Sequence, residues 1–302
     1  MESNDILGAL RHECAPRLNS RQPYWAPNMP STFYNLGTLI PEWNWKDGRT
    51  HANTVTTDKN GAWFSAASSV ILPHGVLENT GDIPFNRDLA GYWLIEVDPW
   101  AHKDKLVSPL GNRKHPQSFW VTTPTLILLD ELTDQDVWTG YKIHGSWTTT
   151  KTVRLNNRTD GGGWANKMRD HRTAILDGLW KQGMSSDQIH HHSTYEGFKR
   201  AYAKAWETIA TGNNSPGGER GHRIYRPDWF HTMKAHHAAN MWRSAWKCHQ
   251  RGFSPVAMGA VDELTFRLSD WEAMEAPNTT SPLKIDQSGK ALGHFKIKKV
   301  SE

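Results

Sequence analysis

Two stretches of this chain run apolar and β-branched for several residues and then close on an aspartate. The first reads Thr-Val-Thr-Thr-Asp-Lys-Asn-Gly-Ala-Trp-Phe-Ser, from Thr54 to Ser65. The second reads Pro-Val-Ala-Met-Gly-Ala-Val-Asp-Glu-Leu-Thr-Phe, from Pro255 to Phe266. A strand fixes the direction of each side chain, so an aspartate at its end is held at a defined point. Two such carboxylates from distant parts of a chain are what a two-metal nucleotidyl-transfer site needs. Each offers hard oxygens to Mg²⁺, and the strands fix the metal spacing. The plainer readings are a turn at Asp-Lys-Asn-Gly and a solvent-facing acidic pair at Asp262-Glu263.

The rest of the pattern predicts an α+β fold with a helical insertion. Residues 1–52, rich in Pro, Asn and Trp, read as an irregular lead-in. Residues 53–160 hold the strand before Asp58, a short helix or turn after it, and further strands at Gly91–Val97, from Phe119, and at Trp138–Trp147. Thr125–Leu132 fits strand or helix. Residues 161–221 carry two helices, Trp164–Gln182 and Tyr195–Thr211, with His190, His191 and His192 in a polar loop between them. Asn213–Gly221 is a loop. In residues 222–302 a long helix spans Asp228–Arg251, with Asp228 as its cap and Gly252 as its stop. A strand over Pro255–Val261 then delivers Asp262.

At 302 residues the chain can bury a sizeable core. No apolar run approaches a membrane span and the N-terminus has no signal-peptide core, so a soluble cytoplasmic protein without a membrane partner is expected. Cys14 and Cys248 form no C-x-x-C pair. A net charge of +4 is compatible with a polyanionic partner without demanding one. Most of the 16 tryptophans are expected in the core.

The insertion supplies cations. Lys167, Arg169 and Arg172 fall on one predicted helix, and Lys199, Arg200 and Lys204 on the next. Arg169 and Arg172, three apart, share a face. Such cations hold a triphosphate, Arg in forked fashion and Lys as a point charge, or form a solvated face. His236-His237 is a poor chelate on a helix, there is no H-E-x-x-H, and Gly161-Gly162-Gly163 lacks the Gly-Lys-Ser/Thr of a phosphate-binding loop.

Four segments stand in a telling order. Asp58-Lys59-Asn60-Gly61-Ala62-Trp63-Phe64-Ser65 keeps the Asp, an aromatic and the last Ser of D-x-x-S-L-Y-P-S. Lys199 to Glu207 keeps the Lys and an aromatic of K-x-x-x-N-S-x-Y-G. Met258-Gly259-Ala260-Val261-Asp262-Glu263 keeps the Gly and second Asp of Y-G-D-T-D-S, with Ala260 at the first Asp. Leu292-Gly293-His294-Phe295 matches L-G-x-W/F. In this order, over residues 53–298, the chain resembles the palm and fingers of family B DNA polymerases, closest in flavour to protein-primed polymerases of phages and linear plasmids.

The resemblance implies a polymerase-like palm, an antiparallel sheet with helices in residues 53–160 and 222–302. Residues 161–221 would be a helical fingers insertion, with no separate exonuclease domain and a reduced thumb. It implies template-dependent nucleotidyl transfer in replication of a phage, plasmid or mobile element, with DNA, dNTPs and a terminal protein or other replication protein as partners. Asp58, Asp262 and Glu263 would hold Mg²⁺ or Mn²⁺. Lys199, with Arg169 or Arg172, would bind the triphosphate, and Trp63 would gate the sugar. Two other readings stay open. One is a non-catalytic DNA-binding relative. The other is a two-metal nuclease or transposase-like enzyme drawing a third ligand from Glu96, Asp98 or Asp130.

Overall fold

The computed structural model describes residues 41–101, 106–111, 118–156, 163–211, 225–259, 262–276 and 279–301. Cys14, the Asn213–Gly221 loop, Ala260 and residues 1–40 of the lead-in lie outside them. The elements run β1 (Trp45–Lys46), β2 (Thr54–Lys59), α1 (Ala62–Ser69), β3 (Leu72–Pro73), β4 (Glu78–Asn79), β5 (Ala90–Val97) and β6 (Phe119–Thr122). Next come α2 (Thr123–Asp134), β7 (Tyr141–Thr149), β8 (Thr152–Val153), α3 (Trp164–Lys181), α4 (Ser186–His191), α5 (Ser193–Thr211) and α6 (Pro227–Gln250). The chain ends through β9 (Ala257–Gly259), β10 (Glu263–Arg267), α7 (Leu268–Glu275) and β11 (Phe295–Ser301).

Two antiparallel sheets organise the molecule. One has the order β1-β9-β10-β2-β11 and the other β4-β7-β5-β6, with a small β3-β8 ribbon beside them. The ambiguous Thr125–Leu132 run is helical, part of α2 with Pro124 in its first turn. Proline fits that position because the N–H it lacks has no partner there anyway. Among the described residues no helix is long and apolar enough to cross a membrane.

Helix α6 is the spine. Its first turns place Trp229 and Met233 in a cluster with Phe64, Trp164, Phe198 and Trp206 from α1, α3 and α5. Its later turns place Ala238, Met241, Trp242 and Cys248 against Trp93, Leu126, Val55 and Phe266. One helix thereby joins the helical layer to both sheets. Nine of the described tryptophans are buried, in keeping with their expected core role. Burial also pushes the Cys248 thiol up to about 12, so it is an inert core group.

Several expectations need correction. Asp228 lies in the first turn of α6, after an N-cap at Arg226, and its carboxylate pairs with Arg226. His190 and His191 are helical, because Ser185 and Gln188 form a capping box that starts α4. Trp45 and Lys46, assigned to the lead-in, form an edge strand of the first sheet. The strand expected from Pro255 starts at Ala257, and a second strand, β10, starts at Glu263.

Gly61 links β2 to α1 in the left-handed region, at φ 52°. A Cβ there would press on Cδ2 of Leu292, a flexible atom that can shift. The backbone conformation is therefore the main cost, and Gly61→Ala is expected to lose about 1–2 kcal/mol. Urea unfolding would measure this, and an unchanged midpoint would refute it.

Candidate active site

Strand β2 alternates. Val55, Thr57 and Lys59 are buried, while Thr54, Thr56 and Asp58 lie on the half-exposed face. Opposite Asp58 stand Glu263 on β10 and Lys296 on β11. The Thr56 and Thr265 hydroxyls bond across the same face at 3.0 Å. Asp262 stands directly before β10, and its carbonyl accepts the Lys59 N–H at 3.2 Å. A bulge in β11 between Ile297 and Lys299 inserts Lys298, whose ammonium bonds Glu263. Sheet pairing thus gathers Asp58, Asp262, Glu263, Lys296 and Lys298 at one end of the sheet.

The charges there are in tension. Burial, then the negative charges of Asp58 and Glu263, push the Asp262 carboxyl up to about 6. Asp58 is also raised, by burial first, although Lys296 and Lys298 pull the other way. Lys296 Nζ lies 4.0 Å from Asp58 Oδ2 and is held below the usual lysine range by burial, against the attraction of Asp58. Lys298 is raised by its bond to Glu263. Lys59, adjacent to Asp58, is driven down to about 8 by burial and lies over the Phe295 ring at 5.7 Å.

This donor set fits a hard divalent cation. The carboxylate oxygens of Asp58 and Asp262 are hard donors, and their mutual repulsion is what a cation would relieve. Among the described residues no three His, Cys, Asp or Glu side chains converge on one metal position. The fit is therefore to the coupled Asp58–Asp262 pair, with Glu263 beside it.

The expected phosphate ligands separate. Arg172 is almost fully buried, and its guanidinium donates to the carbonyls of Gly289 at 2.5 Å and Lys290 at 3.2 Å. It clasps the loop that leads into β11. Arg169, three residues earlier, is half exposed and pairs with Asp170 at 2.8 Å. Lys199 pairs with Glu196 and lies over the Tyr195 ring at 5.3 Å, within electrostatic reach of Lys296. The Trp63 ring stacks on Phe230 with centroids 5.7 Å apart and meets Trp206 at 5.9 Å.

The alternative third ligands are engaged elsewhere. Glu96 bonds His144 at 2.8 Å, Asp98 accepts from Thr139 at 2.8 Å, and Asp130 accepts from Arg87 at 2.6 Å. His236 bonds Ser69 at 2.9 Å and Asn240 at 3.1 Å.

Sequence reasoning missed the roles of His190, Lys296 and Lys298. The ammonium of Lys296 donates to His190 Nε2 at 2.6 Å. The alternation Lys296-Ile297-Lys298 was the available signal for a strand carrying charge on one face.

No protein-family model matches the chain, and no curated protein matches its sequence. Solved structures do. Phi29 DNA polymerase complexed with single-stranded DNA superposes with a TM-score of 0.56 at 12% identity, covering 99% of this chain and 52% of that one. The same polymerase with primer-template DNA and incoming nucleotide substrates gives 0.58 at 13% identity, with the same 99% and 52% coverage. The primer-template binary complex gives 0.55 at 12% identity. The chain spans about half the length of the polymerase it matches. Identity this low speaks for the fold alone: almost the whole chain is folded like part of the Phi29 DNA polymerase.

Proposed function

We propose that this protein catalyses template-dependent nucleotidyl transfer, as a DNA polymerase-like enzyme in replication of a phage, plasmid or mobile element. One observation carries the reading. Asp58 and Asp262, singled out in sequence as paired ligands, lie at the same end of one sheet, near enough for the charge of Asp58 to raise the Asp262 carboxyl. Similarity in fold to a polymerase solved with primer-template DNA and incoming nucleotides supports it.

In this reading residues 53–160 and 222–302 form the palm, and residues 161–221, which hold α3–α5, the fingers. Asp58 and Asp262 hold Mg²⁺ or Mn²⁺, and Lys298 keeps Glu263 oriented beside them. Such cations, when bound, activate the attacking hydroxyl and neutralise the leaving pyrophosphate. Lys199 and Arg169, on exposed faces of the insertion, meet the incoming triphosphate. Arg172 acts indirectly, by holding the loop before Lys296. Trp63 is the candidate sugar gate, its ring fixed by Phe230 and Trp206. DNA is held mainly through phosphates, so binding weakens steeply with salt.

A second reading, a DNA-binding relative without catalysis, is favoured by the lysines set against the carboxylates, Lys298 on Glu263 and Lys296 near Asp58. The separating experiment is extension of a labelled primer–template with Mg²⁺ or Mn²⁺ and four dNTPs, alongside Asp58→Ala and Asp262→Ala. Extension by the parent alone is the expected result. Salt-sensitive DNA binding common to all three proteins, with no extension by any, would favour the binding relative.

A further inference from the structure

We propose that Lys296, anchored by His190, is an internal counter-ion of Asp58 that competes with a divalent cation for that carboxylate. This rests on the reading of Asp58 as a metal ligand. The Lys296 ammonium is 4.0 Å from Asp58 Oδ2, beyond hydrogen-bond length, and 2.6 Å from His190 Nε2. It is already anchored to the helical insertion while still neutralising the sheet carboxylate.

The surrounding charges make the arrangement exchangeable. Arg172 from α3, Lys199 from α5 and Lys298 from β11 all bear on Lys296 with like charge, and Asp58 is the negative group that offsets them. A divalent cation on Asp58 would satisfy that carboxylate better and repel the ammonium. On the side away from Asp58, Lys296 borders a small cleft of about 10 Å³, lined also by Trp180, Ser186, His190, Tyr195 and Ser288, and His190 holds it there from α4. Cation binding at Asp58 and seating of α4 are then coupled through one side chain.

The test is Mn²⁺ titration of the full chain without nucleotide or DNA, following free Mn²⁺ by electron paramagnetic resonance. Lys296→Met removes the competitor and is expected to tighten binding about fivefold, the scale of a partly exposed ion pair. His190→Ala removes the alternative anchor, leaves the ammonium to Asp58, and is expected to weaken binding. Opposite signs from two partners in one hydrogen bond are not what loss of structure produces. Circular dichroism melting checks folding, and His190→Ala decides the matter alone if Lys296→Met fails to fold. Equal or weaker binding by a folded Lys296→Met overturns the proposal and leaves the metal reading intact. No Mn²⁺ binding by the parent or either variant overturns both.

Discussion

Asp262→Asn is expected to abolish primer extension while making the protein more stable. Losing a metal-ligating oxygen should lower the extension rate by at least about 1,000-fold, about 4 kcal/mol of transition-state stabilisation. The stability effect has the opposite sign. A carboxyl raised from 3.8 to about 6 binds its proton more tightly in the folded protein than in the unfolded chain. Folding is favoured while that proton is on, and the advantage is lost as the pH rises from about 4 through 6. Above that window the buried charge is a full penalty. Asparagine escapes it, by about 1 kcal/mol once solvent screening of this partly exposed group is allowed for. Urea unfolding in chelator should show the variant ahead at pH 7.5 and level with the parent near pH 4. Metal affinity of the parent should fall below pH 6, as the proton competes for the ligand. Extension within tenfold of the parent would remove Asp262 from the metal site. A variant less stable at pH 7.5 would make its carboxylate a structural acceptor instead.

A gain in stability on losing activity would separate a functional carboxylate from a structural one, and sequence could locate the residue without supplying that argument. The alternation in Thr54–Lys59 and the aspartate after Val261 were legible because β-branched residues ending on Asp leave few choices. The partner β10 was hidden, since Glu-Leu-Thr-Phe-Arg is a short alternation directly after an acidic pair. Its pairing with β2, which sets Glu263 opposite Asp58, is a long-range contact that no local pattern encodes. Arg172 shows the limit differently. Spacing put it on a face with Arg169, but Met168, Arg172, Leu176 and Leu179 form the inward stripe of α3, and the arginine goes inside with them. A buried guanidinium then takes backbone carbonyls, so its role passes from phosphate ligand to clasp. Pattern gives which residues share a face. Which face turns inward is decided by what packs on it.

The same rule governs the start of α6 and yields the largest stability effect expected in the molecule. Asp228→Ala should cost about 3–5 kcal/mol. As a helix cap, the role its sequence suggests, Asp228 would cost about 1 kcal/mol to remove. Its side chain and that of Arg226 are both fully shielded from solvent. Two bonds join them, Arg226 Nε to Oδ1 at 2.9 Å and Nη2 to Oδ2 at 2.6 Å. The guanidinium also donates to the Pro73 carbonyl and lies over the Trp229 ring at 4.6 Å, while the Trp229 indole bonds the same carbonyl at 2.6 Å. Removing the carboxylate keeps the cation buried and takes away the acceptor facing two of its N–H groups. The double replacement Arg226→Met with Asp228→Leu removes both charges and should recover most of the loss, because desolvating an ion pair offsets much of its attraction. Urea midpoints of the single and double variants decide this. A single-variant loss below about 1 kcal/mol is what an exposed pair or a simple cap would give. It would mean that Asp228 anchors the helix no more firmly than sequence alone implies.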